Sequence, residues 1–238
     1  MRRDVLILPL QEEELLVACD ALGGIGPKAY DVLSVSFEIA AQFTTRVALA
    51  EILALGGEPL ALSLTLNVEP YPFLEEAKKG VTEELRSIGL EELPIIVSTE
   101  KNMKTSATGL GVTVIGKRLK PKREEVQEGT LYALGVPAIG EEVLRNIERV
   151  ADLRDIALLR RFLPNTPIVP VGSQGIFYEA LLFLVGSGLH LRLRPPFPYS
   201  LYQSCGPATV ILFVSQEKEE ALKTLVSKPL WVVGELRA

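Results

Sequence analysis

The sequence predicts two α+β domains joined near residues 117–130. Three observations lead there. Short apolar runs bounded by turn residues, the mark of strands, occur in both halves. Longer stretches with apolar residues at three- and four-residue steps, the mark of helices, lie among them. A charged segment containing Pro121 then separates two such sets. Strands mixed with helices in each half give an α+β architecture, with domains over 1–117 and 118–238.

In the first half, strands are expected near residues 5–10, 15–19, 60–68, 95–97 and 111–115. The first two are separated only by "QEEE" and read as a hairpin. The stretch "SFEIAAQFTTRVALAEILALGG" is helical, because Ile39, Phe43, Val47, Ala50 and Leu53 or Ala54 recur on one face; Gly56–Gly57 ends it. A second helix is expected from about 71 to 87, stopping at Gly89. Lys117, Arg118, Lys120, Lys122 and Arg123, with Glu124–Glu125, read as a solvated linker. In the second half, strands are expected near 131–134, 168–171, 189–193, 209–214 and 230–233. Helices are expected near 141–150, 153–163, 176–185 and 217–225.

The 238 residues, 47% apolar and 23% charged, can bury a substantial core. With 30 acids against 25 bases the net charge is −5, which argues against a nucleic-acid partner. Cys19 and Cys205 are too few and too far apart for a disulfide scaffold or a paired-cysteine metal site. They read as reduced thiols of a cytoplasmic protein. The N-terminal "MRRDVLILPLQEEE" reads as a strand and not a signal peptide. Residues 176–193 are too broken by Glu179, glycines and His190 to span a membrane, so no membrane partner is expected.

Four stretches carry candidate chemistry. In "CDALGGIGPKAYD", Asp20 is expected where a strand ends. Gly23, Gly24 and Gly26 would let backbone N–H groups approach an anion. Lys28 would meet a phosphate, and Asp20 or Asp31 would hold a magnesium ion. A plain flexible turn is the alternative, since neither the Walker A nor the Rossmann spacing is present. Glu51 lies beside the apolar face of its helix, where a carboxylate needs a cation or an ion pair; Arg46 is five residues away, on a different side. The polar island in "VSTEKNMKTSATGLGV" offers Glu100, Asn102, Thr105 and Ser106 to a nucleotide or hydrated metal, or is simply a surface hairpin. In "PVGSQGIFYEALLFL", Gly172 and Ser173 precede a helix whose N-terminus attracts anions, with Ser173 as an N-cap candidate. His190, the single histidine, reads as structural, which leaves a serine or cysteine triad without support. Carboxylates with glycine turns suit metal-assisted phosphoryl transfer instead.

Taken in order, these pieces resemble the aminoimidazole ribonucleotide (AIR) synthetase superfamily, which includes purine synthetases and thiamine monophosphate kinase. "DALGGIGPK" is similar to the family's D-G-V-G-T-K element, with Asp20, Gly24, Gly26 and Lys28 matching in kind. "RVALAEILALGGEP" is similar to its R-x-x-x-x-D-(x)4-G-A-x-P helix, with Glu51 in place of a metal-binding aspartate. "QSCGPAT" retains Ser204, Gly206 and Pro207 of a third element. The family's G-G-E-T and G-G-D-T loops are replaced by "VSTEKNM". With that departure, the chain resembles most a bacterial α-ribazole kinase-like subgroup.

The resemblance implies a homodimer joined through the sheets of the N-terminal domains. It also implies ATP and Mg2+ as cofactors and a small-molecule substrate. Metal ligands would be Asp20, Glu51 and Glu100. ATP would be bound by Asp20, Gly24, Gly26, Lys28, Asp31, Arg46, Ser106, Gly172 and Ser173. Lys28, Glu100 and Asn102 would carry catalysis. The expected reaction is a kinase transfer to a nucleoside. A synthetase that activates an amide or carbonyl oxygen, and a nucleotide-binding regulator without turnover, are the alternatives.

Overall fold

A computed structural model of the chain describes residues 4–121 and 126–238. It divides into two compact units. One comprises Asp4–Leu53 and Gly57–Lys120; the other holds the described residues from Pro121 onward together with Ala54–Gly56.

The first unit contains β1 (Val5–Pro9), β2 (Glu13–Gly23), the short β3 (Ile25–Gly26) and β4 (Leu33–Ser34), α1 (Phe37–Ala54), β5 (Glu58–Leu66), α2 (Phe73–Arg86), β6 (Ile95–Thr99) and β7 (Gly109–Leu119). Its sheet has the order β1-β2-β7-β5-β6, antiparallel except for the β5–β6 pair. Alternation along the strands divides it into two faces. Leu16, Ala18, Leu62, Leu64, Leu66, Leu110, Val112 and Val114 form the buried face. Ile52 of α1 lies over Gly116 on that face, where a Cβ would stand 2.7 Å from its methyl. Helices α1 and α2 touch at Gly80, whose missing Cβ leaves room for the carbonyl of Glu38.

Charge also organises the β2–β7 ladder. Lys117 pairs with Glu13 (3.2 Å) and Arg118 with Glu14 (2.8 Å). These two cations are therefore rungs of the sheet and not a linker, because cross-strand partners of opposite sign hold them in register. Lys122, Arg123, Glu124 and Glu125 lie outside the described residues.

The second unit contains β8 (Gly129–Gly135), α3 (Glu141–Arg145), α4 (Leu153–Phe162), β9 (Ile168–Pro170), α5 (Gly175–Leu182), β10 (His190–Leu193), β11 (Val210–Ser215), α6 (Glu219–Leu225) and β12 (Leu230–Arg237). Its antiparallel sheet has the order β10-β12-β8-β11-β9. Leu131, Ala133, Val169, Leu212 and Val233 from the strands form one buried cluster with Ile176, Ala180 and Phe183. Helix α4 starts on a capping box in which Asp152 and Asp155 exchange side-chain and backbone hydrogen bonds. His190 is exposed at the start of edge strand β10, so it is not a core residue. Among the described residues, no helix is long and apolar enough to cross a membrane.

Candidate functional site

The glycine turn leaves the sheet later than its sequence suggests. Strand β2 continues to Gly23 because it is paired with β7 along its whole length, and Asp20 sits opposite Val112. Asp20 is thus inside the strand, on the same face as buried Leu16 and Ala18, and not at the strand exit. Burial pushes its carboxyl up to about 6, offset only in part by the backbone N–H of Ala21. Asp20 has no ion-pair partner among the described residues.

Beyond β2 the chain reverses. Gly24 (φ +70°) and Gly26 (φ +155°) adopt backbone conformations that side-chain-bearing residues rarely reach. The carbonyl of Gly24 accepts from Val32 N–H (2.7 Å), and its N–H donates to the Thr108 carbonyl (2.9 Å). At Gly26 a Cβ would lie 2.3 Å from Thr108 Oγ1. The absent side chain at that position is filled by Thr108, which accounts for this glycine without a ligand. Asp31 is equally committed: its carboxylate accepts from Lys28 N–H (2.8 Å), Thr108 N–H (2.7 Å) and Thr108 Oγ1 (2.6 Å). Burial alone would raise its pKa, but the Thr108 and Lys28 hydrogen bonds outweigh burial and hold it below the usual range.

Lys28 is enclosed. Its Nζ donates to Glu69 Oε1 (2.5 Å) and to the Thr105 carbonyl (3.0 Å), lies 4.8 Å from the centroid of Phe73, and leaves the side chain 11% exposed. The Lys28 hydrogen bond draws Glu69 down to about 2. Tyr30 N–H donates to the Ser106 carbonyl (3.1 Å). The structure therefore gathers Lys28, Asp31 and Ser106 of the expected site, and adds Glu69, Phe73 and Thr108. The local signal for Glu69 is slight: one acid between an apolar strand and Pro70.

Other candidates are held elsewhere. Glu100 Oε1 accepts from the N–H groups of Asn102 (2.6 Å) and Met103 (3.1 Å), which lower its pKa and tie it to its own loop. Asn102 is exposed. Arg46 is buried against Glu84 of α2, so its guanidinium is held between two helices rather than at the turn. Among the described residues, no three His, Cys, Asp or Glu side chains are grouped to hold a metal. Asp20, Glu51 and Glu100 therefore do not form one cluster: Glu51 adjoins Ile52, which packs at Gly116, opposite Leu16 and four residues along β2 from Asp20.

Gly172 and Ser173 belong to the second unit. The N-cap of α5 is Gln174, with no side-chain cap, and Ser173 is exposed, so the expected Ser173 cap is not formed. The Gly172 carbonyl instead accepts from Cys205 N–H (3.1 Å) and Gly175 N–H (3.3 Å). Both cysteines are free; Cys205 is buried, which pushes its thiol up to about 12.

No family model and no curated protein matches the chain. Solved structures do. Phosphoribosylformylglycinamidine synthase II from Thermotoga maritima aligns over 99% of this chain, with TM-score 0.63 and 16% identity. The same enzyme complexed with ATP gives TM-score 0.61. This chain spans 37% of that protein's length. AaThiL complexed with AMPPCP and TMP aligns over 98% of this chain and 84% of its own, with TM-score 0.60 and 14% identity. A Thermus thermophilus protein aligns over 99% of this chain and 86% of its own, with TM-score 0.59 and 17% identity. The synthase, PurL, and ThiL are members of the AIR synthase-like superfamily, and the chain has that α+β fold.

Proposed function

We propose that this protein is an ATP-dependent phosphotransferase that moves the γ-phosphoryl group of ATP onto a hydroxyl of a nucleoside-like alcohol, α-ribazole by resemblance. The observation that carries this reading is the likeness over nearly the whole chain to structures solved with ATP or AMPPCP. One of these structures, AaThiL, holds the ATP analogue AMPPCP together with TMP, which supports a site for a nucleotide and a small-molecule phosphate side by side.

In such a transfer the bond from phosphorus to the β,γ-bridging oxygen breaks as the acceptor oxygen bonds to phosphorus, and the acceptor hydroxyl loses its proton. The protein's part is to hold acceptor and phosphorus about 3–3.5 Å apart and in line. Magnesium typically takes one or two protein carboxylates and completes its shell with phosphate oxygens and water. Asp20, half-buried and without an ion-pair partner among the described residues, fits as one such ligand. The bound ion would neutralise phosphate charge. Ser106 and Asn102, on the loop that meets the glycine turn, would contact the nucleotide or orient the acceptor.

A second reading, a nucleotide-binding regulator without turnover, is favoured by the internal commitment of Lys28, Asp31 and Glu100. Calorimetry with ATP and magnesium, followed by ADP release over a panel of nucleosides, separates the two. Binding with release supports the kinase; binding with no release for any acceptor supports the regulator. The exposed sheet face of the first unit, bearing Leu6, Leu8, Ile96 and Ile115, is read as the homodimer surface.

A further inference from the structure

We propose that Glu69 is a positioning residue of the nucleotide site: its carboxylate holds the Lys28 ammonium against the Thr105 carbonyl, so that the turn after β2 and the 100–108 loop form one piece before an anion arrives. This rests on the nucleotide reading above. An ammonium has three hydrogens. Two are taken by Glu69 and Thr105, and the Phe73 ring covers one side of the group. Its charge is balanced by Glu69 at 2.5 Å. Lys28 thus acts through the backbone it secures.

That backbone is shared among three segments. The glycine turn is joined to residues 105–108 through Gly24 N–H to Thr108, Tyr30 N–H to Ser106, and the Asp31 carboxylate to Thr108. The third segment, between β5 and α2, is reached by the Lys28–Glu69 ion pair from the turn and by Thr105 Oγ1, which donates to Glu69 Oε2 (3.5 Å), from the loop. Glu69 precedes Pro70, whose carbonyl accepts from Leu74 N–H at the start of α2 (2.7 Å). Asn67 N–H, on the other side, donates to the Gly109 carbonyl (2.9 Å). Glu69 is therefore braced on both sides, and the turn is braced through it. An anion-binding turn held this way loses less conformational entropy on binding.

The test compares wild type, Glu69→Gln, Lys28→Met and the double variant. It measures ATP affinity with magnesium by calorimetry and hydrogen exchange at the Tyr30 amide. The proposal expects each single variant to bind about tenfold more weakly, within the range for contacting pairs in double-mutant cycles. The double variant should be no weaker than the singles, and Tyr30 exchange should rise in all three. Tighter binding by Glu69→Gln would mean that Lys28, once freed, meets phosphate itself, and would overturn the proposal. So would unchanged affinity in Glu69→Gln beside a wild type that binds. A wild type that binds no ATP contradicts the function instead, which keeps the two failures apart.

Discussion

Arg46 and Glu84 join α1 to α2 through a buried two-point contact, Nε to Oε1 at 2.8 Å and a terminal nitrogen to Oε2 at 3.0 Å. Gln42 Nε2 adds a third hydrogen bond to Glu84 (3.1 Å), and the guanidinium lies 4.5 Å from the Phe43 centroid. Removing one member leaves the other charge buried and unpaired. Glu84→Gln is expected to cost about 3–5 kcal/mol in denaturant unfolding, with Arg46→Met plus Glu84→Leu costing less than either single change. An Arg46→Met protein of unchanged stability and lost ATP affinity would restore Arg46 to the ligand site.

Two glycines are required by packing. A Cβ at Gly80 would stand 2.0 Å from the Glu38 carbonyl oxygen, which is rigid backbone. Gly80→Ala should therefore force α1 and α2 apart and destabilise by roughly 1–3 kcal/mol. Gly26→Ala should also destabilise the fold, through Thr108, whether or not nucleotide is present. Urea titration of both variants checks this; a Gly26→Ala protein of full stability that fails only in ATP binding would return that glycine to a ligand role.

Much of the fold was legible because its signals are local. The helix over Ile39, Phe43 and Val47 and the glycine stop at 56–57 follow from periodicity and backbone freedom alone. Where Lys117, Arg118, Asp20 and Glu69 differ from the sequence expectation, the cause is pairing between distant segments. Lys117 and Arg118 read as a linker until Glu13 and Glu14 stand opposite them on β2. Asp20 reads as a strand exit until β7 extends the ladder past it to Gly23. Glu69 was invisible as a partner of Lys28 because 41 residues separate them. The glycine turn itself was legible; which of its side chains remain available to a ligand was not.

Asp20 makes a prediction with a definite sign. Its folded pKa, about 6, lies above the ordinary carboxylate value, so proton uptake favours the folded state. The resulting stability is complete below about pH 4 and lost as pH rises through about 6. Asp20→Asn should accordingly be more stable than wild type at about pH 8, on the order of 2 kcal/mol, and no more stable at about pH 3.5. The same variant should lose more ATP affinity with magnesium than without it. Thermal melts at the two pH values check the first expectation, and paired calorimetry checks the second.

The homodimer reading places Leu8 and Ile96 in a subunit contact, although each is exposed in the single chain, at 42% and 71%. Large exposed apolar faces of this kind commonly mark association surfaces. Light scattering at micromolar concentration should give twice the chain mass, and Leu8→Lys with Ile96→Lys should give a folded monomer. A monomeric wild type would remove the dimer from the account.

The most direct measurement is product formation. The protein is incubated with ATP, magnesium and α-ribazole, and the mixture is followed by mass spectrometry. ADP and α-ribazole 5′-phosphate are expected in equal amounts, both abolished when ATP is replaced by AMPPCP. Wild-type protein that binds ATP yet forms no phosphorylated product from α-ribazole or any other nucleoside in the panel would contradict the kinase reading.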